Sequence, residues 1–285
     1  MKPNHPLHLA SYLCVGSLLL TLPLQAFPGA RGGGRGNQPN GTTTRTGSYQ
    51  SLYHGSGTFN SSVTRAPGSA TGTSTWTNQK GTGTHSFDNT YTKTGTGTAT
   101  GTHEASTTYA NGKTSSSQGT WAKTAPGDST YTGTHTGTNG DVTDVSRDTT
   151  TSNGVKTVDS TFDNTTTGKT STVDKTISTS DGSKQVDTTA TGPNGKTVTS
   201  DQTFTKTSDG YDKTGTVTGP NGKTSTDTND VTFTKNGNGT ITRTASGSVT
   251  SPSGVTKQTG NSETWTKTFT PTPTATSSAT PSTLD

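Results

Sequence analysis

The chain has 285 residues and a formal net charge of +4, yet only 20% of its residues are hydrophobic, while 74 are Thr and 37 are Gly. At about 25 cal/mol per Å² of buried apolar surface, that inventory excludes a thick apolar core and predicts a thin, elongated, repetitive or partly disordered structure. Cys14 is the sole cysteine, so disulfides and thiolate metal sites are excluded from everything after it.

Residues 1–26 differ from all that follow. Lys2 is their only charged side chain apart from histidine, and the apolar run "YLCVGSLLLTLPL" ends near "LQA". This is the layout of a secretory signal peptide cleaved after Ala26, and it predicts a secreted or cell-envelope protein with no membrane span once the leader is removed. Residues 27–70 form a basic Gly/Arg-rich segment, opened by "GARGGGRGNQPNG" and carrying Arg31, Arg35, Arg45 and Arg65 without an acid. It reads as flexible, and its charges are too sparse and too poorly interleaved with aromatics to mark a specific nucleic-acid binder.

Residues 71–150 alternate Thr with Gly, Tyr or Lys, as in "TYTKTGTGTATGT" from Thr90. Thr favours strands and Gly weakens them, so this stretch predicts a weak β segment. Residues 151–269 are the clearest β-repeat region. Turn dipeptides such as Asn153-Gly154, Asp181-Gly182, Asn194-Gly195, Asp209-Gly210 and Asn221-Gly222 recur about every 12 to 17 residues. The segment "TGPNGKT" occurs at Thr191 and again at Thr218, so two turns make one duplicated unit. Residues 270–285 are a Pro/Thr/Ser-rich tail read as disordered.

These signals predict an all-β protein, a repetitive antiparallel meander of hairpins built as an open sheet, roll or sandwich, with disordered termini. The two-residue strand period assigns Val158, Phe162, Val173, Lys175, Ile177, Val198, Phe204, Tyr211, Val217, Val231 and Trp265 to one face. Thr with roughly one Asp per strand occupies the other. The apolar face is expected to be covered by a second sheet or by the same sheet folded over.

The Thr/Gly-rich "GPNGKT" repeats over roughly residues 110–269 resemble secreted bacterial β-repeat proteins of uncharacterised function. The resemblance implies export and β-repeat structure and carries no catalytic residue. The T-x-T triplets resemble the Thr rows that some ice-binding proteins present to ordered water, and "YDKTG" at Tyr211 looks like a single copy of the YD repeat of bacterial toxin shells.

Catalysis finds no support. Glu104 and Glu263 are the only glutamates and nothing pairs them as acid and base. The histidines after the leader, His54, His85, His103 and His135, lack metal-ligand spacing, and no nucleophile elbow or phosphate loop occurs. No catalytic, cofactor-binding or metal-binding residue is assigned. The expected function is a non-enzymatic exported structural or adhesive protein of the bacterial envelope or extracellular matrix, partnered by self-association through sheet edges or by extracellular polysaccharide. Two alternatives stand beside it: a largely disordered secreted chain, or a module binding glycan, ice or mineral through a face made of Thr199, Asp201, Thr203, Thr205, Thr214, Thr216, Thr218, Thr232 and Thr234.

Overall fold

The computed structural model describes residues 40–51, 55–237 and 239–271. The leader, residues 27–39 of the Gly/Arg-rich segment and residues 272–285 of the tail lie outside the described residues. The rest of the segment read as flexible is instead largely strand, at 41–51 and 55–66, and Thr270 and Pro271 of the tail end the last strand, because both stretches find a ladder partner where the first strand meets the last. The strands are β1 (Gly41–Ser51), β2 (Gly55–Ala66), β3 (Ser69–Asn78), β4 (Gly81–Thr90), β5 (Thr92–Gly95), β6 (Thr98–Thr108), β7 (Thr114–Ala125) and β8 (Asp128–Thr136). They continue as β9 (Val142–Ser152), β10 (Val155–Asn164), β11 (Lys169–Ser180), β12 (Ser183–Thr191), β13 (Thr197–Lys206), β14 (Gly210–Thr218), β15 (Thr224–Lys235), β16 (Thr240–Thr250) and β17 (Thr256–Pro271). The short β5 continues β4 beyond Tyr91 in the same register against β6, so the strands make sixteen staves.

Each stave pairs antiparallel with its sequence neighbours, and β1 pairs with both β2 and β17, from Gly41 opposite Pro271 to Ser51 opposite Asn261. The meander expected from the turns is present, but the open sheet, roll or sandwich is not: the molecule is a closed barrel. The physical reason lies in the same composition that ruled out a thick core. With too few apolar side chains to hold a second layer, closure satisfies every ladder without one and leaves no bare edge. All substantial strand contacts join neighbours in the wall.

Followed from stave to stave through registered partners, Arg45, Ser61, Ser74, His85 and Thr107 form the start of a row. Once around the wall the row returns to β1 displaced by about 20 positions, which at about 3.3 Å per residue and about 4.8 Å between strands gives a tilt near 40° and a wall radius of about 16 Å.

The turns sort by end. At one end, loops such as 109–113, 192–196 and 219–223 repeat one design: the first residue's N–H donates to the carbonyl of the fifth, as in Gly192 to Lys196 at 2.9 Å and Gly219 to Lys223 at 2.8 Å. Gly195 and Gly222 supply the positive φ (72° and 74°). The two "GPNGKT" copies thus occupy the same rim. The opposite rim carries tighter turns, with Asn153 (φ 51°) and Asp181 (φ 47°) in the left-handed region that Asn and Asp tolerate.

One face of the wall is consistently less exposed than the other, as expected of the concave side, where side chains converge. The hand of the ladders agrees. On staves such as β6 and β8 this face's residues hydrogen-bond toward the following stave, as Tyr109 does with Lys113 and Gly137 with Asp141. For L-residues in a wall of right-handed tilt, displaced in the sense found here, that face turns inward. The lumen therefore receives most of the strand Val, Phe, Tyr and Trp residues, Val142 and Val155 at strand ends excepted, and it holds the buried apolar side chains Val173, Ala190, Val231, Ala245 and Trp265. Several lumenal rings lie over a glycine on the adjacent stave, so that a Cβ at Gly83 would overlap Trp76 and one at Gly72 would overlap Phe87. The outer face is the Thr face.

Candidate functional site

All nine residues of the sequence-derived binding face lie on the outside of the barrel. Thr199 is registered opposite Thr218, Asp201 opposite Thr216 and Thr203 opposite Thr214, so six of the nine form a block on β13 and β14. Thr205 sits opposite Asp212. Thr232 and Thr234 lie farther around, opposite Thr244 and Thr242. The block is convex and hydroxyl-rich rather than a cleft.

Much of the outer Thr inventory is engaged across strands. Hydroxyl pairs bridge Thr90 and Thr102 at 2.7 Å, Thr150 and Thr157 at 2.6 Å, and Thr218 and Thr224 at 2.9 Å. Such cross-strand pairs each add a fraction of a kcal/mol, about 0.2–1, to sheet pairing. Outer acids also fall opposite one another: Asp148, Asp159 and Asp174 form one row across β9, β10 and β11, Asp187 faces Asp201, Asp212 faces Asp230 and Asp88 faces Glu104. The last pair borders a shallow outer depression of about 620 Å³ lined mostly by Ser and Thr, including Ser62, Thr73, Ser86 and Ser116. Among the described residues no group of three or more His, Cys, Asp or Glu is placed to hold a metal ion.

The lumen is chemically the opposite surface. Among the described residues, every Lys and Arg at a registered strand position points inward, and Asp227 and Glu263 are the only strand acids that join them. Lys213 bonds Asp227 at 2.5 Å. At the seam between β17 and β1, Arg45 is buried beside Glu263 and lies over the Trp265 ring, 4.3 Å from guanidinium carbon to centroid, with Phe59 at 5.9 Å. Burial lowers the Arg45 pKa, and Glu263 opposes that shift. Burial raises the Glu263 pKa above the usual carboxylate range, with Arg243 and Arg45 pulling it back.

A second polar cluster joins β4, β6 and β7. His85 Nδ1 meets Thr107 Oγ1 at 2.9 Å, His103 Nδ1 meets Asn89 Oδ1 at 2.6 Å, and His103 Nε2 meets Ser117 Oγ at 3.3 Å. Burial depresses both imidazole pKa values, and His103 depresses that of His85 further. A third cluster, Arg147, Lys175 and Lys184, contains cations alone. Lys175 is half-buried, and desolvation first, then Arg147 and Lys184, lower its pKa. Strand periodicity alone puts Lys175 among the apolar side chains, with its stem laid over them and its ammonium in water; the inward gathering of bases appears only in the closed register.

No protein-family model matches the chain, and no curated protein matches it. Among solved structures, a chain titled "Bacterial polysaccharide outer membrane secretin" is similar in fold at 6% identity and a TM-score of 0.49, covering 82% of this chain and 100% of that one. At that level no residue or activity is carried across.

Proposed function

We propose that the protein is a non-enzymatic, exported component of the cell envelope or extracellular matrix with a structural or adhesive role, a barrel that stands in water rather than lipid. The carrying observation is the outer wall. A barrel embedded in a bilayer presents an outward apolar band about 25 Å tall flanked by aromatic girdles, whereas this outer wall presents Thr rows interrupted by Asp on most staves. The leader-like residues 1–26 support export. Fractionation with detergent phase separation tests the reading: recovery from envelope washes or medium, in the aqueous phase, is expected. Partition into the detergent phase, or retention in the cytoplasm, overturns it.

A second reading uses the outer block around Thr203 and Thr216 as a glycan, ice or mineral surface, supported by its common facing and by the exposure of Thr199, Asp201, Thr214 and Thr216. Thr203→Lys, Thr216→Lys and Thr232→Lys together should leave folding intact and abolish such binding. Binding that survives the three changes rules the block out. Closure also changes the route to self-association, since β1 and β17 pair with each other and leave no strand edge at the seam. Copies would have to meet through outer faces or rims.

A further inference from the structure

The distribution of charge between the two faces of the wall goes beyond a structural role. Cations gather in the lumen and acids outside, and the segregation is sharpest on the arc from β9 to β13. There Arg147, Lys156, Lys169, Lys175, Lys184 and Lys206 point inward with no inward-facing acid on any of the five staves. A protein that needed these charges only for solubility would carry them on the convex face, where water screens them well. Here they share a concave wall, where like charges repel one another, and a half-buried ammonium, Lys175, has Arg147 and Lys184 as its charged neighbours. Elsewhere in the lumen the acids are already engaged: Asp227 by Lys213, and Glu263 by Arg243 and Arg45. Arg65, Lys93 and Lys123 also face the lumen on staves without an inward acid, but the β9–β13 arc holds the densest set of lumenal cations without counter-charge.

We propose that this arc is a binding track for an extended acidic polysaccharide, a linear uronate-type chain that enters the lumen by its end and lies along the wall. Three features of the arc fit that occupant. Lys ammonium groups serve as point charges for carboxylates. Between them stand Ser160, Ser171, Thr188, Ser200 and Gln202, polar groups matched to sugar hydroxyls. The arc is poor in stacking platforms: Phe162 and Phe204 are its inward rings, and Phe204 is already tilted against Tyr211, with Lys184 over it at 5.8 Å. A single-stranded nucleic acid would call for successive aromatic platforms between the cations, which favours the polyuronate.

The test is a titration of the full chain with linear oligogalacturonate, with neutral dextran oligomers of equal length and oligothymidylate as comparators. Oligogalacturonate should bind with an affinity that falls as salt rises, and dextran should not bind. The variant Arg147→Gln, Lys175→Gln, Lys184→Gln should lose about tenfold or more in affinity with an unchanged far-UV spectrum. A rim variant, Lys113→Gln, Lys196→Gln, Lys223→Gln, should bind like the wild type. Should the lumenal variant fail to fold, acetylation footprinting of the wild type serves instead: the polymer should protect Lys175 and Lys184 and leave Lys113 reactive. Absence of oligogalacturonate binding, loss of binding in the rim variant, protection confined to the rim, or equal affinity for oligothymidylate overturns the proposal. None of these outcomes bears on fractionation, so the exported structural reading stands or falls separately.

Discussion

Arg45 of the first stave lies on the indole ring of Trp265 in the last, with its guanidinium carbon 4.3 Å from the ring centroid. The contact holds the two ends of the described chain together at the seam. Removing the ring should cost more than removing the cation. Trp265→Ala is expected to destabilise by about 3–5 kcal/mol, as for other buried Trp truncations, and Arg45→Ala by about 1–2 kcal/mol. Urea unfolding followed by far-UV circular dichroism measures both. Equal and negligible effects would show that backbone pairing alone holds the seam.

Glu263 beside that contact makes a prediction in pH. Its folded pKa is raised, chiefly by burial, so its contribution to stability is fully present below the unfolded carboxylate value, about 4.3. It is lost as pH rises through the folded value. The difference in melting temperature between wild type and Glu263→Gln should therefore shift against the wild type over that interval. A pH-independent difference contradicts the sign.

His85 and His103 in the lumen act in the opposite direction. Their folded pKa values are depressed by burial, so their stabilising contribution is present above the unfolded imidazole value, about 6.5. It is lost as pH falls through the folded values. Mild acidification should lower the melting temperature of the wild type more than that of His85→Gln, His103→Gln. Parallel curves for the two proteins would refute this.

Asp159 lies between Asp148 and Asp174 in the outer acid row. Like charges directly opposite in a sheet are destabilising, typically by about 0.2–1 kcal/mol per pair. Asp159→Asn should therefore stabilise the barrel by up to about 1 kcal/mol. The gain should shrink as salt rises and screens the row. Denaturant midpoints at low and high ionic strength decide it, and a destabilised variant rejects the repulsion.

The period-two reading of single strands was enough to separate the faces. Val173, Lys175 and Ile177 do share one side, and Thr172, Asp174 and Thr176 the other. Turn chemistry was legible in part: Asn153 and Asp181 adopt the positive φ that a two-residue Asn-Gly or Asp-Gly turn calls for, whereas Asn194 and Asn221 sit in five-residue loops in which only Gly195 and Gly222 do. Closure was not legible, because alternation along a strand is the same in an open sheet and in a barrel. Only the pairing of Gly41 with Pro271 distinguishes them, and that contact spans nearly all of the described chain. For the candidate surfaces the limit was again register. One Asp per strand could be read from each segment, but that Asp159 faces two others depends on how three strands align. The inward arc of cations appears only when five staves are placed side by side.

The seam carries a kinetic consequence. Hairpin pairing is local and proceeds stave by stave, but closing β1 on β17 must bring together residues separated by more than two hundred positions, and the chain entropy of that ring is paid only at the end. Until β17 is available, both terminal staves expose unsatisfied ladders on a Thr-rich wall, a template for pairing with another chain. The last strand thus acts as a latch. The interval between completion of the hairpins and arrival of Trp265 beneath Arg45 is when the nascent wall is most exposed to joining a neighbour instead of itself.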